Sequence, residues 1–518
     1  MTVLGLDLGH TNCVMAVPGR VRLAADYPGA HVYPEGCYLP EMDVTIIPSP
    51  QGELNFPSVL YTPAEGPAQY ICGREALEKL YEGEEPLRGF LRYLGTATVL
   101  KQPGGVLSPV EAMEVFLRYL KECAVQALGE PVDRAVFTHP PDFSLVQLDA
   151  LRQAAMAAGF EVSLPEQTLP SPIAAFLGCP SFSARERLLV LVYAWGGQTF
   201  HATLLEKGPD GLKILSLEGD NFLGGVDLDR KLAHWLIDQV TSRYRVSLED
   251  HTTPVGRAIW YRLMKAAEDL KIRFSSTREG EKVTEVRLDF LLDDQENPFT
   301  VCMDRQMVAE LLYPEFEQTL ELCLRCLGRV GVKAVELDAV LLAGGSTVLI
   351  NHYLANHFPA DILRGYDDFT MAVGAASFAR CLSPRSVQQS DLDYDELELI
   401  EDSWLLPWPL FVGTAGACIS FDEGLPLPSK ILEREFDILR DGSELTLDIF
   451  RGDELAAKMN ISGIPPGARD SGKVLIRVCV TEKYELRGEA IFMSADTGEE
   501  VYRTPVKVTI PTTHLRSV

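Results

Sequence analysis

The sequence predicts an α/β domain of two similar lobes facing one cleft, followed by an all-β sandwich. Three observations predict it. Residues 3–17, "VLGLDLGHTNCVMAV", and 190–204, "VLVYAWGGQTFHATL", share one plan of apolar strand, glycine turn and second apolar strand, with Gly9 matching Gly196. Two further matched pairs follow them in the same order. From about residue 405 the chain alternates apolar and polar residues at strand length.

The first lobe is expected over about residues 1–183 and the second over about 184–383. Within the first, the Pro-rich stretch at about 20–55 is left without an element. "AVFTHPP" from residue 135 and "AVLLAGGS" from 339 are strands that end in chain-breaking loops, and "PIAAFLG" from 172 and "TMAVGAASFA" from 370 are small-residue helices. Three pairs in one order indicate an internal duplication. Glycine turns that point backbone N–H groups inward from both lobes suit a phosphate chain, with adenosine or a sugar filling the remainder. The polar, then acidic run over 384–404 reads as a linker. In the region 405–518, "ELTLDIF", "KVLIRVCV", "EAIFMSA" and "VKVTI" are strands, and "RDGS", "PPG" and "DTGE" are turns.

At 518 residues the chain is too long for one core, and its 46% hydrophobic content is that of an ordinary soluble protein. A formal net charge of −27 repels nucleic acid and anionic lipid, so neither nucleic acid nor membrane is expected as a partner. Eleven cysteines, an odd number, in a chain that opens directly on a strand indicate a reduced, cytoplasmic protein. Cys323 and Cys326 form a lone CxxC at helical spacing, which reads as a buried helix face and not as a metal site. No metal site is expected elsewhere.

Several of these stretches together resemble the DnaK-type seventy-kilodalton heat-shock chaperone family. "GLDLGHTNCVMAV" is similar to its first phosphate loop, with Asp7, Gly9, Thr11 and Asn12, and "YAWGGQTF" to its second, with Gly196, Gly197 and Thr199. "GDNFLGGVDLD" resembles its glycine motif, giving Gly224, Gly225 and Asp227. "AAEDLKIRFSS" and "LLAGGSTVL" resemble its adenosine motifs, giving Glu268, Lys271, Ser275, Gly344, Gly345 and Ser346, and Asp368 joins the nucleotide-binding set. The resemblance implies an actin-like two-lobed ATPase domain, ATP or ADP as ligand, and a β-sandwich that binds extended polypeptide. Glu268, Lys271 and Ser275 share one face of a helix, as joint contacts to ribose and base require.

The departures fall on the chemistry. The second-loop aspartate is Ala194, the glutamate before "PIAA" is Ser171, and the lysine after "CGREAL" corresponds to Leu77, leaving Asp7. Those groups position the water, hold the metal's waters and neutralise developing charge, so hydrolysis is expected to be weak or lost, nucleotide binding weak, and the case for magnesium poor. His10 and His201 replace further polar residues; they fill space or contact phosphate weakly, without an orienting carboxylate. Val348 and Ile272 replace the arginines expected at the purine, and Arg273 is one position out of phase.

In the linker, Leu397, Leu399 and Ile400 correspond to the family's docking residues, interrupted here by glutamates. Leu445 in "LTLDIFRGDE" falls where the family lines its apolar peptide pocket, or else in ordinary sandwich core. A sandwich without a helical lid is expected. "EVSLPEQTLPSP" lacks the basic residue offered to a J-domain, which puts co-chaperones in question. Three functions remain: a polypeptide-binding chaperone homologue in which nucleotide biases domain docking, a slow but genuine divergent ATPase chaperone, and a nucleotide-free scaffold.

Overall fold

The first hairpin forms as its pattern dictates. Strand β1 (Val3–Leu8) pairs antiparallel with β2 (Asn12–Pro18); every residue of β1 but Asp7 is buried, and so are all but the ends of β2. The computed structural model of the chain describes residues 2–64, 70–162, 167–183, 185–209, 211–244, 253–276, 285–288, 299–359, 363–365 and 369–380. Farther on it describes 404–405, 410–414, 417–421, 426–427, 431–437, 444–451, 454–462, 464, 473–480, 485–493 and 500–509. The linker residues, Leu397, Leu399 and Ile400 among them, and Asp368 lie outside this set. Two compact units emerge: Met1–Pro141 with Ala150–Glu401, and Asp402–Val518 with Asp142–Asp149.

Strand β3 (Val44–Ile47) joins β2 antiparallel, while β4 (Arg134–His139) lies parallel beside β1 and β5 (Thr168–Pro170) parallel beside β4. The spatial order is therefore β3-β2-β1-β4-β5, extended at the β3 edge by Cys37–Leu39, with Phe56–Pro57 also pairing β2. A second sheet repeats it. Strands β6 (Leu188–Trp195), β7 (Phe200–Gly208), β8 (Gly211–Asp220), β9 (Ala339–Ala343) and β10 (Leu363–Gly365) take the order β8-β7-β6-β9-β10, with the same parallel and antiparallel pairings. The duplication read from three short motifs thus extends to five strands per lobe. The third strand of the first set came from the Pro-rich stretch at 20–55, which pattern reading had left unassigned.

Helices cover the sheets. Helix α1 (Pro109–Leu128) starts with a capping box in which Ser108 and Glu111 bond reciprocally, and stops at Gly129 in the left-handed region. After it come α2 (Ser171–Leu177), α3 (Gly225–Tyr244), α4 (Pro254–Ser276), α5 (Arg305–Arg329) and α6 (Thr370–Ala379). Helices α3, α4 and α5 bury their apolar faces in a core with Trp195, Phe200 and Phe274, and Cys323 and Cys326 sit in it as buried free thiols. Helix α6 departs from its sequence-based placement in the second lobe. Its Ala372, Val373 and Ala376 pack with Val14, Ala16, Val44 and Ile46 on the first sheet, and its Gly374 crosses α2 at Ala174. Small side chains on both helices permit that approach, so the second half's last helix closes the first half's sheet. No helix among the described residues is long and apolar enough to cross a membrane.

The second unit has two four-stranded antiparallel sheets. One is ordered β12-β11-β14-β15, from β11 (Leu410–Thr414), β12 (Ala417–Phe421), β14 (Glu444–Arg451) and β15 (Glu454–Ser462). The other is β13-β16-β17-β18, from β13 (Leu432–Asp437), β16 (Lys473–Val480), β17 (Glu485–Met493) and β18 (Glu500–Thr509). Alternate residues of both, such as Leu447, Ile449, Ile476 and Val478, form a single core between them.

Candidate functional site

The turns between β1 and β2 and between β6 and β7 line one cleft of about 660 Å³, a volume suited to a nucleotide-sized ligand. Asp7, Gly9, Thr11, Asn12, Gly196, Gly197, Thr199, Gly225, Glu268, Lys271, Gly344, Gly345 and Ser346 all line it. Gly224 does not. It lies under the second loop, where a Cβ would come within 2.3 Å of Gln198 Cα, and its N–H donates to the Asp227 carboxylate at 2.9 Å. Asp227 also pairs with Arg230 at 2.7 Å, so its work is to cap the start of α3. Ser275 falls in the last turn of α4.

The two loops touch. A Cβ on Gly197 would sit 2.0 Å from Thr11 Oγ1, and that hydroxyl is buried without a hydrogen-bond partner. Two of the glycine N–H groups assigned to phosphate are already satisfied: Gly196 donates to Thr199 O at 3.0 Å and Gly225 to Gly196 O at 2.9 Å. Hairpin closure and the seating of α3 consume them. The unpartnered Thr11 hydroxyl is the polar atom here that an anion would satisfy.

At the first loop, the Thr138 hydroxyl donates to Asp7 Oδ1 at 2.6 Å and accepts from the Leu8 N–H at 3.0 Å. Ala194, Ser171, His10 and His201 also line the cleft, so each substitution faces the ligand space. Leu77 does not; it packs with Val59, Tyr61, Ile71 and Ala76. From this part of the chain the residues that come against the first loop are Phe90 and Leu91, which share a small cavity with Leu8, Gly9 and His10. Beneath the loop, burial pushes the Cys13 thiol up to about 12, although Ser58 Oγ lies 3.3 Å away. His139 lines the cleft as well, a residue that its plain strand sequence did not mark.

Where the adenosine-like motifs line the cleft, Lys271 is nearly buried. Its ammonium is 2.7 Å from Asp229 Oδ1 and donates to Gly225 O at 3.1 Å, while Glu268 pairs with Lys265 at 2.9 Å. Asp229 was missed as a site residue, though it lies four positions after Gly225 on α3. Burial pushes its carboxyl up to about 6, with the Lys271 charge opposing that rise. Ile272 stands half-exposed at the cleft wall, and Val348 falls in the helix Thr347–Leu354.

Outside the cleft lining, residues 81–92 are bridged to residues 221–261 of the same unit. Tyr81 and Tyr261 meet edge to face at 4.7 Å between centroids, and Arg257 Nε donates to Gly83 O at 2.9 Å. Arg92 donates to Asn221 O at 2.7 Å and lies 4.7 Å above the Phe222 ring. In the second unit Leu445 opposes Ile461 across β14 and β15 and is partly buried at the end of the row that continues inward as Leu447 and Ile449. Core packing and a rim position therefore coexist in one side chain.

Comparison with known proteins places this geometry. Residues 95–399 match a family profile described as "Hsp70 protein". The chain is 28% identical over 484 residues to "Chaperone protein DnaK" of Thermosipho africanus (strain TCF52B), covering 90% of this chain and 74% of that protein. It is 27% identical over 484 residues to the protein of the same name from Thermosipho melanesiensis, with the same coverage. The profile spans well over half of the chain and takes in the second loop, the glycine motif and both adenosine motifs. Two actin-like lobes and a β-sandwich with these motifs make the chain a member of the Hsp70 family.

Proposed function

We propose that the protein is a cytoplasmic DnaK-like chaperone that binds ATP or ADP weakly in the cleft and extended polypeptide on the sandwich, with hydrolysis slow or lost. The observation that carries this is the cleft wall: Ala194 and Ser171 face the ligand space where two carboxylates are expected, and Asp7 remains, held by Thr138. Nucleotide fits the residues present. The cleft has the volume, Thr11 Oγ1 is an unsatisfied buried group at the meeting of the loops, and Lys271 and Ser346 stand at the purine end. Bound nucleotide supplies a phosphoanhydride that this chain is poorly equipped to cleave. Each missing positioned group costs on the order of a hundred- to a thousandfold in rate, without simple additivity.

Polypeptide would lie along the sandwich by main-chain hydrogen bonds, with an apolar side chain at Leu445. Part of "EVSLPEQTLPSP", on which the J-domain expectation falls, lies outside the described residues. Single-turnover ATP hydrolysis, measured beside Thermosipho DnaK, tests the reading. A rate equal to that protein's, abolished by Asp7→Ala, refutes it. A nucleotide-free scaffold is favoured by one observation: Gly197, Gly224 and Gly225 are each explained by contacts within the chain, so the motif can persist without ligand.

A further inference from the structure

Each lost carboxylate has a histidine as its strand neighbour. His201 stands directly opposite Ala194 in the antiparallel pair β6 and β7. His139 ends β4 in register with Pro170 of β5, and the next residue is Ser171. His10 occupies the first loop between Gly9 and Thr11, and all three imidazoles line the cleft. Two independent sheets thus place an imidazole beside the position from which an acid is missing.

The carboxylates that remain are committed. Asp7 accepts from Thr138, Asp229 is paired with Lys271, and Glu268 with Lys265. Among the described residues no three His, Cys, Asp or Glu side chains converge as a metal-holding group. A magnesium ion in a phosphate site uses one or two carboxylates, directly or through its waters; with Ala194 and Ser171 at two of the three acidic positions expected, Asp7 is the single acid of that set, already bonded to Thr138, and the donor set fits the ion poorly. The polyphosphate nevertheless needs positive charge, the more so in a chain of formal net charge −27.

We propose that this cleft takes nucleotide without magnesium, the imidazoles of His10, His139 and His201 acting in place of the divalent cation as charge partners of the phosphates. This rests on the nucleotide-binding reading above. Phosphate beside an imidazole favours its protonated form, so binding takes up protons. The other titratable groups around these rings are Asp7 on β1, Cys13 on β2, Asp229 on α3, and Glu268 and Lys271 on α4. Glu218 on β8, next to the Gly219 that opposes His201, is engaged by Arg325 and Arg329. His139 Nδ1 donates to Pro140 O at 2.8 Å, which orients that ring.

Isothermal titration of the full chain with ADP, once in EDTA and once in magnesium, tests the proposal. The expected result is equal affinity in both, net proton uptake revealed by buffers of different ionisation enthalpy, and binding about tenfold weaker near pH 8 than near pH 6. His10→Gln, on a partly exposed loop, and His201→Gln, in the sheet, should each weaken binding in EDTA and reduce proton uptake. Binding that requires magnesium overturns metal independence and leaves the nucleotide reading standing. Binding in EDTA without proton uptake, unchanged in both histidine variants, overturns the imidazole assignment. No heat in either condition removes the nucleotide reading itself.

Discussion

Replacing Asp229 by asparagine isolates the ion pair that holds Lys271 against the cleft. Both side chains are close to fully buried, at 8% and 10% exposure, and their charged atoms are 2.7 Å apart. Removing one partner of a buried pair strands the other charge, at a cost of about 3–5 kcal/mol. Two features reduce it here. Gly225 O still accepts from Lys271 at 3.1 Å, and asparagine retains an oxygen near the old carboxylate position. A loss of about 2–3 kcal/mol is expected, which lowers the first unit's transition by roughly 2–4 °C in scanning calorimetry of the full chain. Asp229→Asn combined with Lys271→Met should recover most of it, because the stranded charge is then gone. A change under about 0.5 kcal/mol, or a double variant no more stable than the single, refutes the reasoning.

Two further outcomes are expected. Arg92→Ala removes a hydrogen bond to Asn221 O and the stack on Phe222, each about 0.5–1 kcal/mol, so the first unit should lose about 1–2 kcal/mol in denaturant unfolding of the full chain; an unchanged midpoint contradicts the importance of that bridge. Leu445→Ala should weaken binding of a labelled apolar peptide about tenfold in fluorescence anisotropy while leaving the second unit folded; unaltered anisotropy titrations would return Leu445 to the core alone.

Local signals in the sequence carried much of the fold. Apolar strands, glycine turns and small-residue helices are set by neighbours along the chain, so both hairpins and the repeated strand–helix pairs were readable. Val44–Ile47 was not, because four apolar or β-branched residues amid Pro34, Pro40, Pro48 and Pro50 look like loop until β2 supplies a partner. Helix α6 was assigned by chain order to the wrong sheet, since its small residues fit a surface distant in sequence. The site shows the same division. Glycines and the Glu268–Lys271 helix could be found by spacing, whereas His139 reaches the cleft by sheet register and Asp229 matters by a contact across two helices. That Leu77 packs with Val59, Tyr61, Ile71 and Ala76, away from the cleft lining, is likewise a matter of tertiary contact that no local pattern carries.

The crossing of α2 and α6 bears on how such a duplicated chain can be divided. A fragment ending near residue 183 would carry the first sheet without Ala372, Val373 and Ala376, leaving Val14, Ala16, Val44 and Ile46 facing water. On the ribosome that face waits for roughly two hundred further residues before its cover is made, a window in which another chain's apolar segment could occupy it. A first lobe standing alone would need another cover for that face, most simply a segment of a second copy.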